Sequence, residues 1–327
     1  MIKVVGLFSG AGGLDLGFSQ AGFDVLWANE YDKSIWDTYR LNHPDTQLDT
    51  RSITKIHEDE VPDCDGIIGG PPCQSWSEAG ALRGINDKRG QLFFDFIRLL
   101  DAKKPKFFLA ENVAGMLAPR HKDALQNIKK MFTDCGYDLN FKLLNVGDYG
   151  VPQDRKRVIF VGFREDLNTQ FSFPEPVMSS ENLKDAIWDL QDSVVPAGEK
   201  NHNSNNCEIL NHEYMTGGFS TIYMSRNRIR SWDERSFTIQ AGGRHAPIHP
   251  QAPKMIKVEK NKQLFMEGYE DQYRRLSVRE CARVQTFPDD FEFVYNRVAD
   301  GYKMIGNAVP VKFARTLAES IKQHLKD

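Results

Sequence analysis

The first half of the chain alternates short, near-continuous apolar runs with runs of mixed polarity, and few folds accommodate that pattern. "KVVGLF", "FDVLWANE", "DGIIGG" and "PKFFLAEN" read as strands, while "GGLDLGFSQAG", closed by Gly22, "SIWDTYRLN" and "LFFDFIRLLDAK" read as helices. Strands so uniformly apolar must be covered on both faces, which points to βαβ units around a parallel sheet. The expected fold is therefore α/β and doubly wound. In such sheets ligands bind beyond the carboxyl ends of the strands, and Glu30, Cys73 and Glu111 each fall at such an end.

After "RVIFVGFRED" the alternation stops. Prolines, the polar tract "GEKNHNSNNCE" and short β-like pieces such as "STIYM" and "SFTIQAGG" follow, as in a smaller, mostly irregular or β domain. Helical signals then return. Ser277 and Glu280 have the spacing of a capping box, and Pro310 is suited to open the last helix. The expected division is residues 1–172, 173–273 and 274–327, the last segment packing back on the first domain.

The segment "GGPPCQSWS" directly follows a strand-like run. Two prolines fix φ and remove donors, and the two glycines before them allow backbone geometry that other residues resist, so the segment reads as a stiff loop presenting the Cys73 thiol. Buried structural cysteines usually sit in apolar periodic segments, whereas this one precedes polar residues and a tryptophan; a reactive thiol is the sharper reading. The five cysteines are odd in number, scattered and without a C-x-x-C pair, which argues against a disulfide framework and for a reducing, cytoplasmic compartment. His202, Cys207 and His212 are loosely spaced and lack a fourth ligand, so no metal is expected. No apolar run approaches a membrane span.

"FSGAGGLDLGF" places Gly10, Gly12, Gly13 and Gly17 between the first strand and helix, where a ligand can approach backbone at a helix N-terminus. Asp15 stands where a dinucleotide fingerprint carries its third glycine, which favours another nucleotide-like ligand. Glu30, ending the second strand, is placed to accept from ribose hydroxyls. Glu111 in "AENVAG" reads equally as a helix N-terminal carboxylate and as a crevice acid able to donate to a ring nitrogen. The net charge of −3 does not suggest a polyanion, but five arginines between Arg226 and Arg244 stand against Asp233 and Glu234 alone, and Arg274, Arg275, Arg279 and Arg283 form a second cluster. Either cluster alone reads as a solvated surface; together they make nucleic acid plausible.

"FSGAGG", "PPCQSWS", "RGQLFFDFIR", "ENV", "QDRKR", "RRLSVRECARVQTFPDDF" and "GNAVP", in this order, resemble the successive motifs of the DNA cytosine-5 methyltransferases. The resemblance implies an S-adenosylmethionine-dependent methyltransferase sheet with a target-recognition domain, acting as a monomer on double-stranded DNA. It implies that Cys73 adds to C6 of a flipped cytosine and that Glu111 holds or protonates N3, with Arg155 near O2 and Arg157 supporting the same loop. Phe8, Gly10, Gly12 and Gly13 would line the methyl donor, Glu30 would take its ribose, Pro72 and Leu92 would wall the pocket, and Asn307 would brace it. "MSRNRIRSW" and "HPQAP" in the variable region resemble the branch that methylates the inner cytosine of GGCC in restriction–modification, with Arg226, Arg228 and Arg244 as candidate base readers, and phosphate pairing favoured for Arg230 and Arg235.

One departure concerns "GDI", whose acidic residue faces the adenine amine in the family; this chain has Arg51-Ser52-Ile53. Three outcomes stay open: Ser52 replaces that bond, Asp49 shifts into it, or cofactor affinity falls. Alternatives to the main reading are a tRNA cytosine-5 methyltransferase on the same scaffold, against which the long arginine-bearing variable region argues, and a silent DNA-binding regulator, against which the joint presence of Cys73, Glu111 and Arg155 argues. A nicotinamide oxidoreductase lacks its glycine pattern.

Overall fold

The expected alternation is realised as β1 (Ile2–Leu7), α1 (Gly13–Gln20), β2 (Phe23–Asn29), α2 (Trp36–Asn42), β3 (Gln47–Asp49), β4 (Gly66–Gly69), α3 (Lys88–Lys103), β5 (Phe107–Val113), α4 (Lys122–Asp134), β6 (Tyr137–Asn145) and β7 (Lys156–Arg164). The structure is a computed structural model and describes residues 1–72, 88–177, 181–204 and 206–325. Seven strands form one sheet in the order β3-β2-β1-β4-β5-β7-β6. The five strands from β3 to β5 are parallel, as expected. β7 pairs antiparallel with both β5 and β6, an addition that apolar patterning alone does not distinguish from a further parallel strand.

The chain winds outward from β1 to β3, then crosses to the other side of β1 for β4 and β5. The topological switch point therefore lies between β1 and β4. Register places Asp49, Asn29, Leu7, Gly69 and Ala110 in one row across the sheet. The residues that follow three of these strands, Phe8, Glu30 and Gly70, share its carboxyl edge with Glu111 of β5. The core on one face of the sheet is aromatic: Phe108 of β5, fully buried, stacks on Phe132 of α4 with centroids 4.3 Å apart, and Phe93, Phe96 and Phe160 close the same cluster.

Contacts divide the chain into one unit of Met1–Asn145, Lys156–Pro176 and Phe313–Asp327 and another of Val146–Arg155 and Val177–Lys312. The divisions fall elsewhere than the sequence suggests. The ten residues between β6 and β7 belong to the second unit, as does most of the segment after residue 273. The first unit takes the end of the chain, where Ser320 Oγ donates to Ser172 O and Lys322 Nζ donates to Ala21 O.

The second unit is mostly irregular. It contains α5 (Leu183–Ile187), β8 (Val195–Pro196), β9 (Glu213–Tyr214), β10 (Ile256–Glu259), β11 (Lys262–Leu264), α6 (Val278–Val284) and α7 (Val298–Asn307), and α8 (Val311–His324) follows directly after Pro310. The Ser277 capping box is present: Ser277 Oγ accepts from Glu280 N, and Glu280 Oε2 accepts from Ser277 N. Glu280 is wholly buried and takes both Arg274 nitrogens at 2.7 Å, so a local cap is also the anchor of a buried ion pair. His212 is held by Ser277 Oγ and Leu190 O rather than turned toward Cys207.

Candidate active site

Phe8 through Gly13 leave β1 in a tight turn. Phe8 is half-buried with φ +56°, and Gly10 and Gly12 have φ +56° and +86°. Left-handed φ is costly for a side chain and free for glycine. A Cβ at Gly10 would meet nothing within 4 Å, so this backbone is open on the side a ligand would use. Gly13 begins α1. Glu30 closes the neighbouring strand, and its carboxylate accepts from Gly10 N at 2.9 Å and Asp32 N at 2.6 Å, tying the turn to the end of β2.

Beside it, Asn29 Nδ2 donates to the carbonyls of Asp49 and Arg51, fixing the strand end that precedes Ser52. The Asp49 carboxylate is clamped by Arg51, with Nη2 2.7 Å from Oδ2, and Arg51 also pairs with Glu60. Partial burial alone would raise the Asp49 pKa, but the Arg51 hydrogen bonds outweigh it and hold the carboxyl below its usual range. Ser52 follows this clamp, and its Oγ shares a hydrogen bond with Thr54 Oγ1 at 2.9 Å.

Glu111 and Arg157 form the charged centre of the sheet edge. In the antiparallel β5/β7 pair Glu111 opposes Ile159 and Arg157 opposes Val113, so the two are diagonal neighbours on one face. Arg157 Nε reaches Glu111 Oε1 at 2.7 Å, with both side chains about one-seventh exposed. Glu111 Oε2 lies 3.5 Å from where a Cβ on Gly70 would stand. Asn112 Nδ2 donates to Pro71 O at 2.9 Å, so β5 pins the start of the loop that continues into Cys73. Asn112 stands in the quoted "ENV", but nothing in the spacing marks its role. Cys73 itself lies outside the described residues. Burial pushes Cys64 up to about 12 and Cys135 up to about 11, and it raises Cys207 and Cys281 as well; none of these four is an activated thiol. Pro72 and Leu92 are half-buried.

Arg155 and Asn307 belong to the second unit. Arg155 is 2% exposed, and its guanidinium donates to the carbonyls of Ile239, Gly306 and Ala308 at 2.9–3.1 Å. Gln153 donates to Gln285 Oε1 and accepts from Ile239 N, while Gln285 donates to Ile305 O. "QDR" and "GNAVP" thus meet as a buried polar web joined by backbone carbonyls. Asn307 is exposed at the end of α7.

The arginines of the variable region are used differently from one another. Arg226 and Arg244 are exposed, and no ion pair or side-chain hydrogen bond engages them among the described residues. Arg228 lies over the Tyr223 ring at 4.6 Å and donates to the carbonyls of Tyr223 and Ile222. Arg230 pairs with Glu234 and Asp154, and Arg235 with Asp148, so both are committed to carboxylates.

An open glycine turn, the Glu30 carboxylate that holds it and a Glu111–Arg157 pair beside Pro71 lie along one edge of the sheet, and the model of C-5 cytosine-specific DNA methylases matches residues 2–323. The chain belongs to this family of DNA (cytosine-5) methyltransferases. Curated relatives include the Type II methyltransferases M.FnuDI of Fusobacterium nucleatum, 57% identical over all of this chain and 96% of that protein, and M.NgoPII of Neisseria gonorrhoeae, 58% identical over 99% and 96%. Among solved structures, a prophage-encoded DNA modification methyltransferase of E. coli superposes with a TM-score of 0.77 at 24% identity, covering both chains fully. Spodoptera frugiperda DNMT2 superposes at 0.71 with 18% identity, again over both whole chains. At these identities the likeness is one of fold, and it is the methyltransferase fold. No helix among the described residues is long and apolar enough to cross a membrane.

Proposed function

We propose that this methyltransferase is the modification enzyme of a Type II restriction–modification system, acting as a monomer on double-stranded DNA and methylating C5 of the inner cytosine of 5′-GGCC-3′. The GGCC assignment rests on the variable-region segments "MSRNRIRSW" and "HPQAP", which resemble those of the HaeIII methyltransferase. The observation that carries the chemistry is the Glu111–Arg157 pair, set beside Pro71 and pinned to it through Asn112. The open turn at Gly10 and the Glu30 carboxylate tied to it fit a nucleoside methyl donor, with Phe8, Gly12, Gly13, Ser52, Pro72 and Leu92 around it and Asn307 as a supporting side chain.

The target base is inaccessible inside a duplex and is taken out of the stack. As the Cys73 thiolate adds to C6, Glu111 passes a proton to N3 and accepts from the exocyclic amine, so the negative charge pushed into the ring is neutralised at N3, and that proton returns to Glu111 when the adduct breaks down. Arg157 rather than Arg155 is the guanidinium that orients Glu111 and stands near O2, since Arg155 Nη1 and Nη2 donate to three carbonyls. S-adenosylmethionine, when bound, supplies the electrophilic methyl group. Loss of the C5 proton then expels the Cys73 sulfur and restores the aromatic ring. Arg226 and Arg244, with no internal partner among the described residues, are the side chains for guanine O6 and N7, while Arg228 stiffens the segment between them. The test is to treat a defined plasmid with enzyme and S-adenosylmethionine and map 5-methylcytosine by bisulfite sequencing. Modification confined to the inner cytosine of GGCC supports the reading, and any other site pattern overturns the specificity.

A further inference from the structure

Asp15, which displaces the third glycine of a dinucleotide fingerprint, has no part in the chemistry above, yet it is 1% exposed in the first turn of α1. Its carboxylate occupies the space over Gly6 of β1, where a Cβ would lie 2.9 Å from Oδ1. Tyr39 of α2, wholly buried, donates its hydroxyl to Asp15 Oδ2 at 2.7 Å. One helical turn further on, His43 stacks on Tyr39 with ring centroids 4.3 Å apart, and its Nε2 lies 3.4 Å from the carbonyl of Ala11. The same imidazole fills the space a side chain on Gly12 would need: a Cβ there would stand 2.1 Å from Nε2. Burial raises the Asp15 carboxyl and the Tyr39 hydroxyl and lowers His43, so each group resists ionising where it sits. Burying three polar side chains costs stability unless they are hydrogen-bonded, and apolar residues of similar size would fill the same volume without that cost. What distinguishes the polar set is that it reaches the turn through His43, which stacks on the Tyr39 that holds Asp15, meets the Ala11 carbonyl and fills the space beside Gly12, while Glu30 accepts from Gly10 N of the same turn.

We infer that Asp15, Tyr39 and His43 are positioning residues for the cofactor, a buried brace that holds the Gly10–Gly12 turn in the left-handed form that binds S-adenosylmethionine. The inference rests on the proposed reading of that turn as the methyl-donor site. The experiment is isothermal titration of S-adenosylmethionine and S-adenosylhomocysteine into wild type, Tyr39→Phe and Asp15→Asn. It is paired with melting temperatures, duplex affinity by fluorescence anisotropy, and kcat at saturating cofactor. Tyr39→Phe removes one hydroxyl and is expected to weaken both ligands roughly tenfold, the effect of losing one buried hydrogen bond. KM for the cofactor rises accordingly, while kcat and duplex affinity stay within about twofold of wild type. Asp15→Asn keeps an acceptor for Tyr39 and retains most of the affinity. A Tyr39→Phe protein that binds both ligands like wild type, even with a lowered melting temperature, overturns the inference, as does equal loss of cofactor and DNA binding. Wild type that binds neither ligand would instead remove the methyl-donor site, and the brace with it.

Discussion

Arg155 and Arg157 are two residues apart in "QDRKR", and the geometry assigns them opposite fates on substitution. Arg155 donates to three buried carbonyls. Hydrogen bonds to a charged donor contribute about 1.5–3 kcal/mol each and do not add fully, so Arg155→Ala should cost roughly 3–4 kcal/mol of stability. Arg157 makes one ion pair, to a Glu111 that keeps some contact with solvent. Its loss should cost about 1–2 kcal/mol of stability, but it frees the Glu111 carboxylate to rotate away from the position in which it meets the base. A displacement of about an ångström at a reacting group costs on the order of 10²-fold, or about 2.7 kcal/mol of barrier. Urea unfolding measures the first quantity. Single-turnover transfer from radiolabelled S-adenosylmethionine to a GGCC duplex measures the second. If Arg157→Ala turns over within about threefold of wild type while Arg155→Ala stays fully stable and loses turnover, the roles assigned from the geometry are wrong.

Ser52→Asp restores an acidic side chain where Asp49 is unable to serve, and cofactor binding measured by calorimetry should tighten about three- to tenfold; no gain would mean that Ser52 does not face the adenine. Arg226→Ala and Arg244→Ala should each cost about 1–3 kcal/mol and relax preference at one base pair of GGCC, read by methylation of single-base variant sites at two salt concentrations. Uniform loss over all sites with a flatter salt dependence would make them phosphate contacts. His249, fully buried with Nε2 3.4 Å from Glu280 Oε1, is pushed down to about 4, chiefly by burial and further by Arg274, against the pull of Glu280. Its folded form stays neutral while the unfolded chain takes up a proton near 6.5, so its stabilising contribution is complete above that pH and is lost as pH falls toward 4. The loss is about 1.4 kcal/mol per pH unit and roughly 3 kcal/mol in all. Urea titrations between pH 7 and 4.5 should show this slope in wild type and a shallower one in His249→Gln, and equal slopes would remove His249 as its source.

Much of the first unit was legible because its strands are apolar on both faces and its turns are marked by glycine and proline. Leu7, Asn29, Gly69 and Ala110 end up in one row, which is why Glu30, Gly70 and Glu111 fall on one edge as the strand ends suggest. The Ser277–Glu280 cap was legible for a similar reason, since it needs only local spacing. Long-range polar pairing was not. Period-two reasoning treats Arg155 and Arg157 alike, but β7 begins at Lys156, so Arg157 gains a cross-strand carboxylate and Arg155 does not. Asp15 could be noticed as a missing glycine, but its partners lie 24 and 28 positions away and carry no motif. In the arginine-rich segment, composition could count charges, yet it gave no sign that Arg230 and Arg235 pair with carboxylates while Arg226 and Arg244 have no such partner among the described residues.

The central claim is that Cys73 is the nucleophile and that the base it attacks is the inner cytosine of GGCC. A fluorine at C5 cannot leave as the C5 proton does, so a duplex with 5-fluorocytosine at that position should trap the enzyme after methyl transfer. Incubation with S-adenosylmethionine, denaturing electrophoresis and peptide mass spectrometry should yield one covalent adduct, carried by the peptide containing Cys73 and absent from Cys73→Ser. An adduct on Cys64, Cys135, Cys207 or Cys281, or trapping by Cys73→Ser equal to wild type, would contradict the account.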